Sequence, residues 1–311
     1  MRRPPILRVA AALLLLGAAS PAPAATPAAG TAPAPTGRTG LVRPSYEEPK
    51  NPAHRPLYDH LRQQKLLEKF AEVLGTIRLP RELGLRFAGC DGESNAWFDG
   101  EEHRITFCYE FVAEIDQAAA GSVQYGIPRE DALDGAVVFV LLHESGHALF
   151  NYLQVPIFGR EEDAADHFAG YVLLRAGKTI AHRALSGAAW MYKHDSGARK
   201  LDESDFADVH GLDAQRLYNV LCMAFGAYPD EYRGLVDKGY LPKERAEGCK
   251  DEYAQVTYAF QKLISGSLDA QAVASTRARH KAKWDGPAAA PAGAPAAAPT
   301  PAATPAPAGK K

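Results

Sequence analysis

His143, Glu144 and His147 stand in an H-E-x-x-H pattern, in full His143-Glu144-Ser145-Gly146-His147. Residues four apart project from one face of an α-helix. Two imidazoles on successive turns can therefore reach one Zn²⁺ at about 2.0–2.1 Å. A carboxylate beside the first imidazole can take a proton from a water held by that metal. The chemistry implied is hydrolysis by a metal-activated water, with one zinc ion per chain and Glu144 as general base. The apolar run at residues 137–142 argues for a buried helix rather than a solvated one carrying two surface histidines.

A catalytic zinc takes three protein ligands and keeps a fourth position open. Positions 150 and 153 are Phe and Leu, so the H-x-x-G-x-x-H extension of the pattern is excluded. The next oxygen donors are Glu161, Glu162, Asp163 and Asp166. Glu162 and Asp166 share a helix face. Glu162 is the expected third ligand, with Glu161, Asp163 and Asp166 as substitutes. Asp166 is the expected acceptor of an imidazole N–H, which would fix that ring's tautomer. The same acids also suit a helix N-terminus. His167 points elsewhere on this helix and is expected to be structural.

These groups need a scaffold, and its elements can be read from periodicity and breakers. The H-E-x-x-H helix is expected over residues 131–152 and the acidic one over 161–176. Leu57, Leu61, Leu66, Phe70, Val73 and Leu74 fall at helical spacing. Further helices are expected at 110–120, 183–193, 213–226, 229–238 and 249–265. Segments 83–87, 95–98 and 104–109 alternate or are rich in β-branched and aromatic residues, and Asp99-Gly100 supplies a turn between the last two. The expected fold is α+β: a small antiparallel sheet followed by a mainly helical part, in one domain over residues 45–285.

The remainder of the chain differs in composition. It has 311 residues, 46% hydrophobic and 23% charged, with a formal net charge of −2. Residues 1–46 and 286–311 hold no Asp or Glu but seven cations, which leaves about −9 on the stretch between. An acidic domain argues against a nucleic-acid partner. Arg2, Arg3 and Arg8 precede an apolar run at 9–19, and Ala22-Pro23-Ala24 offers a cleavage site. Residues 1–24 therefore read as a signal peptide, 25–44 as an Ala/Pro-rich spacer and 286–311 as a tail of similar composition. No later stretch reaches 18 apolar residues, so no stable membrane span is expected after cleavage. The protein is expected in the periplasm or secreted. Four cysteines in an exported chain imply two disulfides. Of three pairings, Cys90–Cys108 and Cys222–Cys249 each close a short loop and are favoured.

The segment His143-Glu144-Ser145-Gly146-His147, followed by Glu162 and Asp166, resembles the gluzincin metallopeptidases, the thermolysin-like branch of zincins. Asn95-Ala96-Trp97-Phe98 is similar to the edge strand with which that branch holds its substrate. The pattern from Cys90 through Cys108-Tyr109-Glu110 to Val155-Pro156 and Gly159-Arg160-Glu161-Glu162 also resembles a family of exported bacterial proteins described as "putative metallopeptidases", over about residues 50–265. The resemblance implies a zincin-like fold and a peptide or protein substrate. It implies substrate contacts at Asn95 and Ala96, and an oxyanion-stabilising His210 oriented by Asp205. Arg216 and Tyr218 are lesser candidates. The step of 15 positions from His147 to Glu162 is shorter than in thermolysin-like enzymes. Two other readings are a non-catalytic exported metal-binding or scaffold protein, and a zinc hydrolase of a non-peptide amide.

Overall fold

The computed structural model describes residues 37–197 and 200–284. The chain opens with strand β1 (Val42–Tyr46), helices α1 (Arg55–Gln63) and α2 (Leu66–Leu74), and strands β2 (Leu83–Ala88), β3 (Ala96–Asp99) and β4 (Arg104–Cys108). Helices follow: α3 (Tyr109–Ala119), α4 (Arg129–Leu153), α5 (Glu161–Ala176), α6 (Lys178–Asp195), α7 (Glu203–Ala207), α8 (Asp213–Ala227), α9 (Arg233–Asp237), α10 (Lys243–Leu263) and α11 (Ala270–Trp284). The architecture is α+β, a four-stranded sheet ahead of a helical body.

The sheet is mixed rather than antiparallel. Its order is β1-β2-β4-β3, with β1 and β4 both parallel to β2. Only the expected hairpin, β3 with β4, is antiparallel. The reason lies in the connections. The α1–α2 pair is a crossover that returns the chain to the end from which β1 started, as parallel neighbours require. After β2 the chain runs to the far edge as β3, then turns back so that β4 fills the gap. The expected spacer reaches into this sheet: β1 starts at Val42, Arg38 bridges Leu79, and Val42 joins the core. The expected signal peptide and the 286–311 tail lie outside the described residues.

The helical reading at 57–74 becomes two helices, because Lys65 adopts a left-handed conformation at φ 51°. Helix α7, of five residues, and helix α11 carry no clear periodic apolar stripe in the sequence.

α4 is the axis of the molecule. Seventeen of its 25 residues are buried, so nearly every face is covered. On length and composition it could cross a membrane, but 83% of its most apolar window is packed inside the fold. α6 crosses it at close range. A Cβ on Gly187 would stand 2.6 Å from the Asp131 carbonyl oxygen and 2.7 Å from Gly135 Cα. Those neighbours are backbone and cannot swing aside.

Both disulfides pair as expected, with Cα–Cα separations of 5.5 Å for Cys90–Cys108 and 5.0 Å for Cys222–Cys249. Each span suits an unforced bridge. The first ties the turn leading into β3 to the end of β4. The second joins α8 to α10.

The close α4–α6 crossing gives a direct test. Gly187→Val is expected to cost about 1–3 kcal/mol or more by overpacking, lowering Tm by roughly 5–10 °C. An unchanged melting curve would show that the two helices are not in backbone contact.

Candidate metal centre

α4 ends at Leu153, with Gln154 left-handed at φ 51°, and Gly159 turns the chain at φ 101° into α5. The two helices then meet at Gly146. A Cβ there would lie 3.3 Å from Ala165 Cα and from Phe168 Cδ1. The missing side chain lets the helices approach, and this sets which α5 residues face His143 and His147. Glu162 does so.

Glu162 Oε2 lies 3.0 Å from His143 Nε2 and 3.3 Å from His147 Nε2, and the two Nε2 atoms are 3.1 Å apart. One donor atom from each of the three residues falls within 4.8 Å of the others. Donors around a tetrahedral zinc at about 2.0–2.1 Å stand roughly 3.3 Å from one another. The spacing and the N,N,O donor set therefore fit one such ion. The remaining ring nitrogens are occupied. His143 Nδ1 meets Asp166 Oδ1 at 2.8 Å, and His147 Nδ1 meets Glu161 Oε1 at 2.8 Å. Each carboxylate fixes a tautomer that leaves Nε2 for the centre. Asp166 is 4% exposed. An isolated buried carboxylate would cost several kcal/mol. Here Arg216 offsets that cost with two 2.8 Å hydrogen bonds, and the Tyr192 hydroxyl donates at 3.1 Å.

The electrostatics follow from these contacts. Burial works against ionising Glu162, yet hydrogen bonds from His143, His147 and His210 hold its carboxyl far below the ordinary range. At Asp166 burial is the largest single influence and opposes ionisation, but Arg216 and His143 together outweigh it and hold the carboxyl low. Burial alone would depress both imidazoles. The carboxylates win: His143 is raised, and His147 is raised to about 9. Glu144 shifts the other way, upward, because burial dominates its partly compensating histidine neighbours. It is 7% exposed and accepts a hydrogen bond from the Phe98 backbone N–H on β3. The edge strand thus touches the candidate base.

His210 comes to the same place. Its Nε2 is 3.0 Å from Glu162 Oε2, and its carbonyl accepts from Arg160 at 3.0 Å. The carboxylate on its Nδ1 is Asp208, at 2.9 Å, not Asp205. Asp208 also accepts from the His210 N–H, a two-residue turn that brings carboxylate and ring together. Asp205 instead accepts from the Asp202 N–H in the capping box of α7. Asn95, expected to open the strand, stands just ahead of β3. Its side chain bonds its own neighbours, accepting from the Ala96 N–H at 2.8 Å and donating to Glu93 at 3.0 Å. Tyr218 is 39% exposed in a cleft of about 480 Å³ beside Arg160, Asp163 and Gly211. His167 faces Glu252 at 3.6 Å, away from the centre. Cys90, Cys108 and Glu110 also cluster. There the sulfurs are bonded to each other, and Glu110 accepts from the Cys90 and Gly92 N–H groups.

Sequence reasoning missed the partners rather than the centre. Asp208 had a readable signal in the Asp-x-His spacing. Tyr192, and the role of Arg216 on Asp166, had none, because they arrive from α6 and α8.

These pKa shifts set a pH test. A histidine raised from 6.5 to about 9 stabilises the metal-free fold fully below pH 6.5 and loses that contribution as pH rises through 9. Metal must displace the same protons. Between pH 6.5 and 9 the Tm of the chelator-stripped protein should fall while Zn²⁺ affinity rises. Zinc affinity independent of pH over that window would contradict the ligand set.

A search of curated proteins and of solved structures gives no significant match. A family profile matches residues 46–264, from the last residue of β1 through α10, and so spans β2, β3 and β4, all three donor residues and Glu144. The chain belongs to the family described as "Putative metallopeptidase".

Proposed function

We propose that this chain is an exported zinc peptidase in which His143, His147 and Glu162 hold the metal and Glu144 is the general base. One observation carries the reading. Glu144 is a buried carboxylate beside the donor set but outside it. A site built only to hold a metal has no need of such a group, and burying it costs stability. A hydrolytic site needs a base in that position, with its affinity for protons raised.

When bound, the metal would supply a Lewis acid that activates water and polarises a scissile carbonyl. The chain's own residues supply the remaining parts. Glu144 takes the proton of the attacking water and delivers it to the leaving amine. The Phe98 N–H holds its carboxylate in place. His210, oriented by Asp208, donates to the developing oxyanion. Asn95 and Ala96, at the start of edge strand β3, hold an extended peptide alongside the sheet. Glu161 and Asp166 keep both ligand rings turned toward the centre. The two disulfides suit an oxidising compartment, which agrees with reading residues 1–24 as a signal peptide.

Two variants separate ligand from base. Glu144→Gln should keep full metal content by elemental analysis, yet lose about 10²–10⁴-fold or more of its cleavage of a mixed peptide library. Glu162→Ala should lose the metal itself. Chelator-insensitive cleavage, or undiminished turnover by Glu144→Gln, would refute the assignment. Full zinc occupancy with no cleavage by the wild type would favour a metal-binding protein without catalysis.

A further inference from the structure

The cleft beside Arg160 and Asp163 has no part in holding the metal, yet it opens one residue from the centre. Its volume of about 480 Å³ suits a side chain or a small ligand. Gly211 lines it, and the preceding His210 places its ring nitrogen 3.0 Å from Glu162 Oε2. Asp163, which follows Glu162, lines it too, and Arg160 donates to the His210 carbonyl at 3.0 Å. A peptide lying across the centre advances about 3.3 Å per residue. A group within a few residues of the scissile bond therefore reaches this cleft.

The lining is rich in hydrogen-bond donors. Arg160 and Arg245 bring two guanidinium groups, and Tyr218 brings a hydroxyl. Gln215 and Asn219 add two amides whose oxygens are already taken. Gln215 Oε1 accepts from the Leu212 N–H at 3.2 Å, and Asn219 Oδ1 accepts from Arg245 Nη2 at 3.4 Å. What each amide leaves for a ligand is its NH2. Arg245 Nη2 also meets Glu252 at 2.7 Å, whereas its Nη1 reaches the Cys249 sulfur at a long 3.7 Å. Arg160 is exposed and spends one nitrogen on a carbonyl. Asp163 is the single acid of the lining, set against Gly211, where a Cβ would stand 3.4 Å from its Oδ1.

We propose, taking the centre as a peptidase, that this cleft is a substrate subsite for a carboxylate. An ionised carboxylate is an acceptor only, and here it can meet both guanidinium groups and both amides. A lysine would meet Asp163 but be repelled by two arginines. The residues come from the starts of α5, α8 and α10, and the positive ends of those helices add to the same preference. The domain around the cleft is acidic, at about −9 between residues 47 and 285, so an anionic group is held off elsewhere. Two sources carry this chemistry: an Asp or Glu side chain near the scissile bond, and the C-terminal carboxylate of a peptide.

The test is retention of peptides on the full-length Glu144→Gln protein loaded with zinc, read by mass spectrometry. The probes are otherwise random decapeptide pools with amidated C-termini, in which one scanned position holds Glu, Gln or Lys. A fourth pool holds Gln and a free C-terminal carboxylate. Glu should be retained about tenfold or more over Gln at one position. The same excess of the fourth pool over its amidated twin would instead place the chain terminus in the cleft, and either result supports the subsite. Because Arg160 also holds the His210 carbonyl, two variants are needed. Asn219→Asp keeps its size and bonds Arg245 rather than any group of the centre. It should keep the melting curve and zinc content while the preference falls to about twofold or less. Arg160→Glu should go further and retain Lys over Gln, a reversal that a merely structural role would not produce. Equal retention of all pools or of none, a preference for Lys before any change at the cleft, or a carboxylate preference that survives both substitutions would overturn the proposal. Failure of the wild type to cleave any pool would sink the peptidase reading, while the retention ratios still decide whether the cleft takes a carboxylate.

Discussion

A single buried carboxylate ties the helical body to the candidate metal centre. Asp166 on α5 accepts from His143 on α4, Tyr192 on α6 and Arg216 on α8. Four helices therefore meet at one charge that water does not reach. Burying it would be prohibitive without Arg216, and burying Arg216 would be prohibitive without Asp166. The pair constrains more than it stabilises. It allows one tautomer of His143, and it fixes α5 against α4 in the register that presents Glu162. The absence of a side chain at Gly146 is the steric half of the same constraint.

The centre itself is a balance of opposed costs. Three imidazoles surround one Glu162 oxygen in a half-buried setting. Without metal, protons on the rings supply the positive charge that keeps the carboxylate ionised. A divalent cation can replace them, and the Nδ1 partners on each ring suit either state. Glu144 is compensated less completely. It is buried, and the charges of His143 and His147, with a smaller share from the Phe98 N–H, only partly offset that burial. That difference makes it the carboxyl of the group best suited to exchanging a proton.

The centre was legible in the sequence because its chemistry is local. His143, Glu144 and His147 lie within two turns of one helix, and Glu162 lies within the first turn of the next. The disulfides were legible because each closes a short loop between adjacent elements. The mixed sheet was not. Strand direction is set by the crossover through α1 and α2, and β1 lay in a segment whose Ala/Pro-rich beginning hid its end. The orienting residue of His210 was misread for a different reason. Asp205 and Asp208 both precede it closely, and only the capping of α7 by Asp202 and Asp205 shows which one remains to serve the ring. Tyr192 and Arg216 became visible only once α6 and α8 were packed on α5.

The central claim is a centre of two imidazoles and one carboxylate with room for solvent, and X-ray absorption at the zinc edge of the loaded wild-type protein tests it most directly. The account predicts a four-coordinate site of two nitrogen and two oxygen neighbours, all at about 2.0–2.2 Å. A sulfur neighbour at about 2.3 Å, a third imidazole in place of an oxygen, or an all-oxygen shell would contradict it.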